Sequence, residues 1–440
     1  MKLRIDNECR YILNDDGSPF FFLGDTAWEL FHRLDKVDAK HYLKERARQG
    51  FNVIQAVVLS EFDGLTVPNM YGRFPLEKNT DGVYDPALPD LYGDYSYFDH
   101  VDFIVSEARK LDLYIGMLPT WGDKFNKKWG IGPEIFTPEN AYVYGKFIGS
   151  RYKDCDNIIW ILGGDRPLET EAHMAIIDEM ARGIKDSGDT HLMTFHPMGP
   201  RSSADEMGVC GKDYIDFHAI QSSHDMDGFN SWKQLRDTAN VDDGSKPFFD
   251  MEPRYEDHPA CFDADFGHLW DADDVRMNLY WNIMEGACGN TYGNHCVWSF
   301  NKEVAPYFTY HWRDALIHDG AEQVKYGKQL RYSRPYTQFR RADDIVKGND
   351  SGACMARIAA GRGEEYAFIY SPLGLPFTAD LSGFEGKGAL ASWFNPRDGK
   401  TESFAAVPLT EVQFVPPSSC RGKGNDWVLI IDAIKWQKDK

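Results

Sequence analysis

The sequence predicts an α/β protein in two parts: a (β/α)8 TIM barrel over residues 1–335 and a C-terminal all-β sandwich over residues 336–440. Three observations predict it. From about residue 20 to 330, short apolar runs alternate with stretches of helical period, and that alternation builds a parallel sheet. Eight such runs can be counted, the number that closes a barrel. Past "RYSRPYTQF" (331–339) the texture changes to short strands divided by Gly, Pro and Asp turns. An open doubly wound sheet is the rival, but no glycine-rich dinucleotide turn follows the first strand.

Each element has its own reason. "PFFFLGD" (19–25) and "FNVIQAVVL" (51–59) are apolar runs of strand length. Between them "DAKHYLKERARQG" (38–50) puts Tyr42, Leu43 and Ala47 on one helical face, and Gly50 suits the helix end. Val101, Ile104, Val105, Ala108 and Leu111 repeat at helical spacing before the third strand, "LYIGMLPTW" (113–121). A helix over 139–152 precedes the fourth strand, which opens "NIIWILGGDRP" (157–167). A helix near 170–186 leads to strands at 191–197, 217–224 and 246–253. Val275, Leu279 and Ile283 mark another helix, and "GNTYGNH" (289–295) is the eighth strand. In the last hundred residues "NPRDG" (395–399) reads as a hairpin turn between short strands.

Composition narrows the function. The formal net charge of −20 repels phosphate backbones, so nucleic-acid binding is not expected. No apolar stretch reaches the length of a membrane span. The start "MKLRIDNECRYILNDDG" lacks the apolar core of a signal peptide. The expectation is a cytoplasmic protein, or a secreted or periplasmic one whose leader has been removed. The eight cysteines form no Cys-x-x-Cys pair and read as free buried thiols. There is no His-Glu-x-x-His, P-loop or Gly-x-Ser-x-Gly elbow. Aromatics at 14% suit sugar rings as well as an ordinary core.

Barrel chemistry sits at the C-terminal strand ends. Those ends supply Asp25 and Trp28 after the first strand, Glu61 and Asp63 after the second, and Trp121 after the third. The fourth gives Asp165 and Arg166, the fifth His196, and the sixth Gln221 and His224. The seventh gives Glu252, Arg254 and Tyr255, and the eighth Tyr292 and His295. Carboxylates, indoles and imidazoles dominate, and no serine or cysteine stands beside an obvious base. Two carboxylates facing one bond are what glycoside hydrolysis needs: one protonated to assist the leaving oxygen, one ionised to attack or to activate water. Asp165 and Glu252 are the chosen pair. Gly163 and Gly164 let the backbone turn sharply and bring Asp165 into the cleft. The competing reading makes the glycines a plain turn and Asp165 a cap.

The other residues carry two readings each. Trp28, Trp121 and Trp129 are sugar platforms or rim packing. Glu61 and Asp63 bind substrate or form a solvated pair. Asp25 bonds barrel-mouth backbone or a sugar hydroxyl. Arg166 and Arg254 tune the catalytic pair, recognise a uronic acid or neutralise neighbours. His196, His224 and His295 bond substrate hydroxyls or orient carboxylates. These three histidines have no metal-ligand spacing, so neither a metal nor another cofactor is expected.

The blocks "DGSPFFFLGDTAWELFHRL", "GFNVIQAVVLSEFDG", "LYIGMLPTWGDK", "GPEIFTPENA", "NIIWILGGDRP", "LMTFHPMG", "DMEPRYEDHP" and "ACGNTYGNHCVW" resemble, in order over about 10–330, the apiosidase-like glycoside hydrolases. These are barrel enzymes related to the cellulase-like clan. The C-terminal region resembles the β-sandwich, once labelled collagen-binding, that follows the barrel in many members. The resemblance implies a retaining mechanism with Asp165 as acid/base and Glu252 as nucleophile. It also implies plant cell-wall, pectic substrates, since known activity includes release of apiose-containing glycans from rhamnogalacturonan II. One departure stands out: the wider clan's acid/base is usually a glutamate after an asparagine, whereas here Asp165 follows Gly164. The alternatives are another cellulase-like β-glycosidase such as a glucanase or mannanase, a non-catalytic carbohydrate-binding barrel, and a metal-dependent barrel hydrolase. The expected partner is an oligosaccharide or polysaccharide, with no nucleic acid and no membrane.

Overall fold

All eight expected runs form strands in the computed structural model, which describes residues 2–8, 10–241, 246–348, 354–418 and 420–435. They are β1 (Phe22–Thr26), β2 (Val53–Leu59), β3 (Tyr114–Thr120), β4 (Ile158–Gly163), β5 (Met193–His196), β6 (His218–Gln221), β7 (Phe248–Asp250) and β8 (Gly289–Tyr292). All eight run parallel, in the order β6-β7-β8-β1-β2-β3-β4-β5. A two-residue antiparallel strand, Arg201–Ser202, extends the β6 edge to make nine. The sheet curls in a TIM-like way. At its two ends, the Asp216 N–H donates to Met193 O at 2.8 Å and Thr194 Oγ1 to Phe217 O at 2.6 Å.

Every residue of β2, β3 and β4 is buried, which is why their sequences run apolar without alternation. Helices cover the outside, and local signals set their starts. Asp35 caps Lys36–Arg48 by accepting the Val37 and Asp38 N–H groups. Ser96 with Asp99, and Thr137 with Asn140, form capping boxes for Tyr97–Arg109 and Pro138–Tyr152. The helices Pro138–Tyr152 and Glu171–Asp186 cross closely at two glycines. A Cβ on Gly145 would stand 2.3 Å from Met180 O, and one on Gly183 would stand 2.3 Å from Tyr142 O. Any larger residue at either position would force the helices apart.

The C-terminal strands form two antiparallel sheets. The larger has the order Arg340–Arg341, Ala359–Arg362, Tyr366–Ser371, Trp427–Ile434, Gly388–Phe394, Thr401–Val407. The smaller has Val346–Lys347, Phe377–Asp380 and Glu411–Phe414. Phe377, Ala379 and Phe414 of the smaller share one buried cluster with Ile369, Trp393, Leu429 and Ile431 of the larger. The larger sheet also packs on the helix Ala272–Met284. Tyr280 and Tyr370 stack with centroids 5.1 Å apart, and Arg276 Nη2 lies 3.0 Å from Asp426 Oδ1.

Three features differ from the sequence reading. A hairpin of Leu3–Ile5 with Ile12–Asn14 precedes the first barrel strand. A second hairpin, Leu76–Lys78 with Tyr84–Pro89, rises from what read as loop. The cysteines are not uniformly buried: Cys288 and Cys296 are, Cys155 and Cys261 are half-buried, and Cys210, Cys354 and Cys420 are exposed. Cys210 and Cys420 sit in turns between elements, and Cys354 opens the short 3-10 helix Cys354–Ala356. Cys9 lies outside the described residues. No helix among the described residues is long and apolar enough to cross a membrane.

Candidate active site

The C-terminal strand ends surround a cavity of about 480 Å³. Trp28, Glu61, Trp121, Asp165, Gln221, His224, Glu252 and His295, all singled out from sequence, line it, and so does Trp129.

Asp165 reaches the cavity because β4 ends in two glycines. Gly163 and Gly164 have φ of 86° and 115°, which suit residues without a Cβ. Space forbids a Cβ as well: on Gly163 it would lie 2.5 Å from His196 O, and on Gly164 2.8 Å from Gly122 N. The chain is thus pressed against its two neighbouring strands as it turns. Asp165 itself has φ 55°, held on that turn. Its Oδ2 accepts from Arg166 Nη1 at 2.8 Å. Burial pushes the Asp165 carboxyl above the usual carboxylate range, and the charge of Glu252 pushes it further. Arg166, His196 and His224 offset part of that rise.

Glu252 follows β7 by two residues. Its backbone is pinned by hydrogen bonds from Ser222 N to Glu252 O (3.1 Å) and from Met251 N to Ile220 O (2.9 Å). Its carboxylate lies between two histidines. His196 Nε2 is 2.9 Å from Oε2, and His224 Nε2 is 3.0 Å from Oε1. Burial alone would raise this carboxyl. The two histidines outweigh burial and hold Glu252 well below the ordinary range. One cavity therefore contains a carboxyl pushed toward protonation and a carboxylate held ionised, and each acts on the other's charge.

A third carboxyl, Glu61, is raised well above its ordinary value by burial and by the neighbouring Glu29. Beside Glu252, the rings of His224, His258 and His295 stand in a row, with centroids 4.6 Å and 4.4 Å apart. Burial, reinforced by the charge of His224, pushes His295 down to about 3 and His258 well below its usual value. Both ring nitrogens of His295 are buried and neither meets a hydrogen-bond partner in good geometry.

Backbone strain gathers at the cavity. Phe62, Asp165, Ser223 and Phe262 line it with φ of 52°, 55°, 83° and 60°. Lys128 and Asp257, each next to a lining residue, have φ of 42° and 65°. Each such conformation costs about 1–3 kcal/mol and persists where surrounding structure enforces it.

Several expected site residues stand elsewhere. Asp25 is fully buried against Tyr42 and Arg46, whose Nε lies 2.7 Å from Asp25 Oδ2. Tyr292 donates to Glu256 Oε2 at 2.6 Å, and Arg254 donates to Asn278 at 2.8 Å beneath Phe229 and Trp270. None of these three lines the cavity. Their polar atoms are needed inside the fold, where an unpaired charge would be costly. Arg166 is also buried and reaches the site through Asp165. His196 touches the cavity only through Glu252. Trp28 and Trp121 are nearly inaccessible and pack on each other, with centroids 5.1 Å apart, so they are wall more than open platform. Trp129, by contrast, is 60% exposed at the rim.

Sequence reasoning missed Phe62, His258, Phe262, Trp298 and Tyr307 as lining residues, whereas Tyr255, expected at the seventh strand end, does line the cavity. All come from loops. The signal available was position alone: Phe62 adjoins Glu61, and Trp298 is three residues past His295. Among the described residues, no group of three or more His, Cys, Asp or Glu is placed to hold a metal ion.

Comparison with known proteins agrees with this geometry. The family model described as "Apiosidase-like, catalytic domain" matches residues 6–338. One described as "Putative collagen-binding domain of a collagenase" matches residues 342–432. A solved structure described as a glycoside hydrolase is 31% identical over 98% of this chain and 97% of its own, with a TM-score of 0.87. A glycoside hydrolase family 5 protein from Bacteroides vulgatus ATCC 8482 is 30% identical over 98% and 93%, also with a TM-score of 0.87. No curated protein matches the sequence at a significant level. By the family match across the barrel and by these two likenesses, the chain belongs to the apiosidase-like family and is a glycoside hydrolase.

Proposed function

We propose that the protein is a retaining glycoside hydrolase acting on plant cell-wall, pectic oligosaccharides, with Asp165 as acid/base and Glu252 as nucleophile. The observation that carries the pair is the opposite displacement of their proton affinities within one cavity. In the first step a Glu252 oxygen bonds to the anomeric carbon as the bond to the leaving oxygen breaks, and Asp165 gives its proton to that oxygen. In the second, Asp165 takes a proton from water, the water oxygen bonds to the anomeric carbon, and the bond to Glu252 breaks. Each residue thus needs the protonation state its surroundings favour before substrate arrives.

Substrate contacts fall to the cavity residues. Trp28, Trp121 and Trp129 would pack against sugar faces, and Glu61, Gln221, His224 and His295 would bond hydroxyls. Asp25, Arg254 and Tyr292 support the walls from within. The pectic substrate rests on family membership.

The architecture reading goes with it. The hydrogen bonds between the β5 and β6 ends support full closure of the sheet into a (β/α)8 barrel. The cluster shared by the two C-terminal sheets supports a sandwich. We place the barrel at 1–335 and the sandwich at 336–440.

A screen of aryl glycosides and pectic fragments tests the function. Release of a sugar from a pectic fragment supports it. Turnover confined to glucans or mannans would replace the substrate class, and binding without turnover would replace the enzyme reading with that of a carbohydrate-binding barrel.

A further inference from the structure

A second cavity, of about 450 Å³, opens at the other end of the sheet from the catalytic carboxylates. Phe248, the first residue of β7, lines it, whereas Glu252 stands beyond the last. Its walls come from separate parts of the chain. The helix Ser231–Asn240 supplies Arg236, and the end of Ala272–Met284 supplies Glu285. The N-terminal hairpin supplies Arg10, the strand Arg340–Arg341 supplies both its residues, and Lys246 stands just before β7. The volume lies within the range of ligand pockets, about 300–1,000 Å³.

Five cationic side chains line this cavity, against one carboxylate among the described lining residues. That carboxylate, Glu285, is already shared by three guanidinium groups. Arg357 Nη2 lies 2.7 Å from it, Arg236 Nη2 2.8 Å and Arg341 Nη1 3.6 Å. Arg340 pairs with the exposed Glu8 at 2.7 Å. Lys246 Nζ donates to Lys212 O at 3.1 Å, and neither Lys246 nor Arg10 forms an ion pair among the described residues. Asp6 turns its carboxylate to the N–H groups of Arg10 and Tyr11 and does not line the cavity. Two helices end here, and their carbonyl ends favour cations. Each end amounts to about half a charge, too little to balance the surplus. The chain as a whole carries −20, so the surplus is local.

We propose that this cavity binds the carboxylates of a uronic-acid oligosaccharide, as a docking site separate from the catalytic one. The choice of a uronate rests on the reading of the substrate as pectic, and so acidic. A guanidinium fork matches a carboxylate with two parallel N–H···O bonds. Arg10 and Arg341 are exposed at the mouth and can turn toward one. An acidic chain is repelled by a surface of net negative charge, and this cavity is where attraction outweighs that repulsion.

Isothermal titration calorimetry with trigalacturonate tests the proposal, on the full chain as Glu252→Gln so that turnover does not intervene. Binding should weaken as salt is added. Adding Arg10→Gln and Arg341→Gln together should weaken it by about tenfold or more. Circular dichroism should not change, because both side chains are exposed. If the double change does unfold the protein, Arg10→Gln alone carries the same test. The trimethyl ester of trigalacturonate, which has no charge, should bind no better than trigalacturonate binds the arginine variant. The proposal is overturned by absence of binding, by equal affinity with and without the two arginines, or by equal binding of the ester. Displacement by inorganic phosphate at equal concentration also overturns it, since the cavity would then accept any small oxyanion. These outcomes separate from failure of the glycosidase reading. Hydrolysis of pectic fragments without binding here sinks only this inference. Arginine-dependent binding without turnover by the unmodified protein leaves the docking site standing and sinks the enzyme reading.

Discussion

Arg166 donates from Nη1 to Asp165 Oδ2 at 2.8 Å, and its guanidinium carbon lies 4.4 Å from the centroid of the Trp129 ring. One buried cation therefore touches both the proposed acid/base and the exposed indole at the cavity rim. Its charge opposes the rise that burial and Glu252 impose on Asp165. Asp165 must start protonated, so activity is lost as pH rises through its pKa. Arg166→Gln removes the opposing charge and should move the alkaline limb of kcat/KM upward by about 1 unit. A pH profile of the variant whose alkaline limb does not move would show that another group sets that limb.

Trp121 illustrates a wall residue that also packs. Its ring lies 5.1 Å from Trp28 and 5.8 Å from His196, and the residue is nearly inaccessible although it lines the cavity. The sequence left Trp121 as a sugar platform or as rim packing. The structure implies that Trp121→Ala leaves a cavity costing about 3–5 kcal/mol of stability. It should also lower kcat/KM, because the His196 beside it is tied to Glu252. Urea unfolding checks the first part, and a midpoint equal to wild type would contradict it.

Asp250 gives a stability prediction with a definite sign. It is buried at the end of β7, near Asn282 Nδ2, and burial pushes it up to about 7. The unfolded chain ionises this group near the ordinary aspartate value of 3.8, so between about pH 4 and 7 the native state holds the extra proton. Stability from this group therefore falls as pH rises through that window. Asp250→Asn should remove the loss, making the stability difference between pH 5 and pH 8 smaller than in wild type by on the order of 2 kcal/mol. Other carboxyls contribute equally to both proteins and cancel. Identical pH dependence of the two urea midpoints would show that Asp250 is ionised in the folded protein.

The two parts of the chain should unfold together. The Tyr280–Tyr370 stack and the Arg276–Asp426 pair tie a barrel helix to the larger C-terminal sheet. Arg334 Nε and Asp432 Oδ1 add a further pair at 2.6 Å. Calorimetry should show one cooperative transition, and two separate melts would mean that these contacts do not couple the parts.

The sequence was most legible where burial dictates pattern. β2, β3 and β4 are buried throughout, so their apolar runs stood out, and the ends of those runs fixed where Glu61, Trp121 and Asp165 would emerge. The sharp corner after β4 was legible because two consecutive glycines have few other uses. What could not be read was which strand-end side chains turn outward. Asp25, Arg254 and Tyr292 sit at strand ends like Asp165 and Glu252, yet their partners Arg46, Asn278 and Glu256 lie on distant elements that periodicity does not place beside them. The row of His258 and His295 was hidden for the same reason. His258 reaches the cavity on a loop whose course depends on the left-handed Asp257, Cys261 and Phe262, residues whose types do not announce that conformation.

The central claim is that Glu252 forms a covalent bond to the sugar, and the anomeric configuration of the first product tests it most directly. Retention calls for carboxyl groups about 5–5.5 Å apart and a glycosyl-enzyme, whereas inversion calls for roughly 6.5–9.5 Å with water between them. With a substrate found by screening, proton NMR in the first minutes of reaction, before mutarotation, should show the sugar released with the configuration it had in the substrate. Glu252→Gln should release none. A first product of inverted configuration, or sustained turnover by Glu252→Gln, would contradict the account.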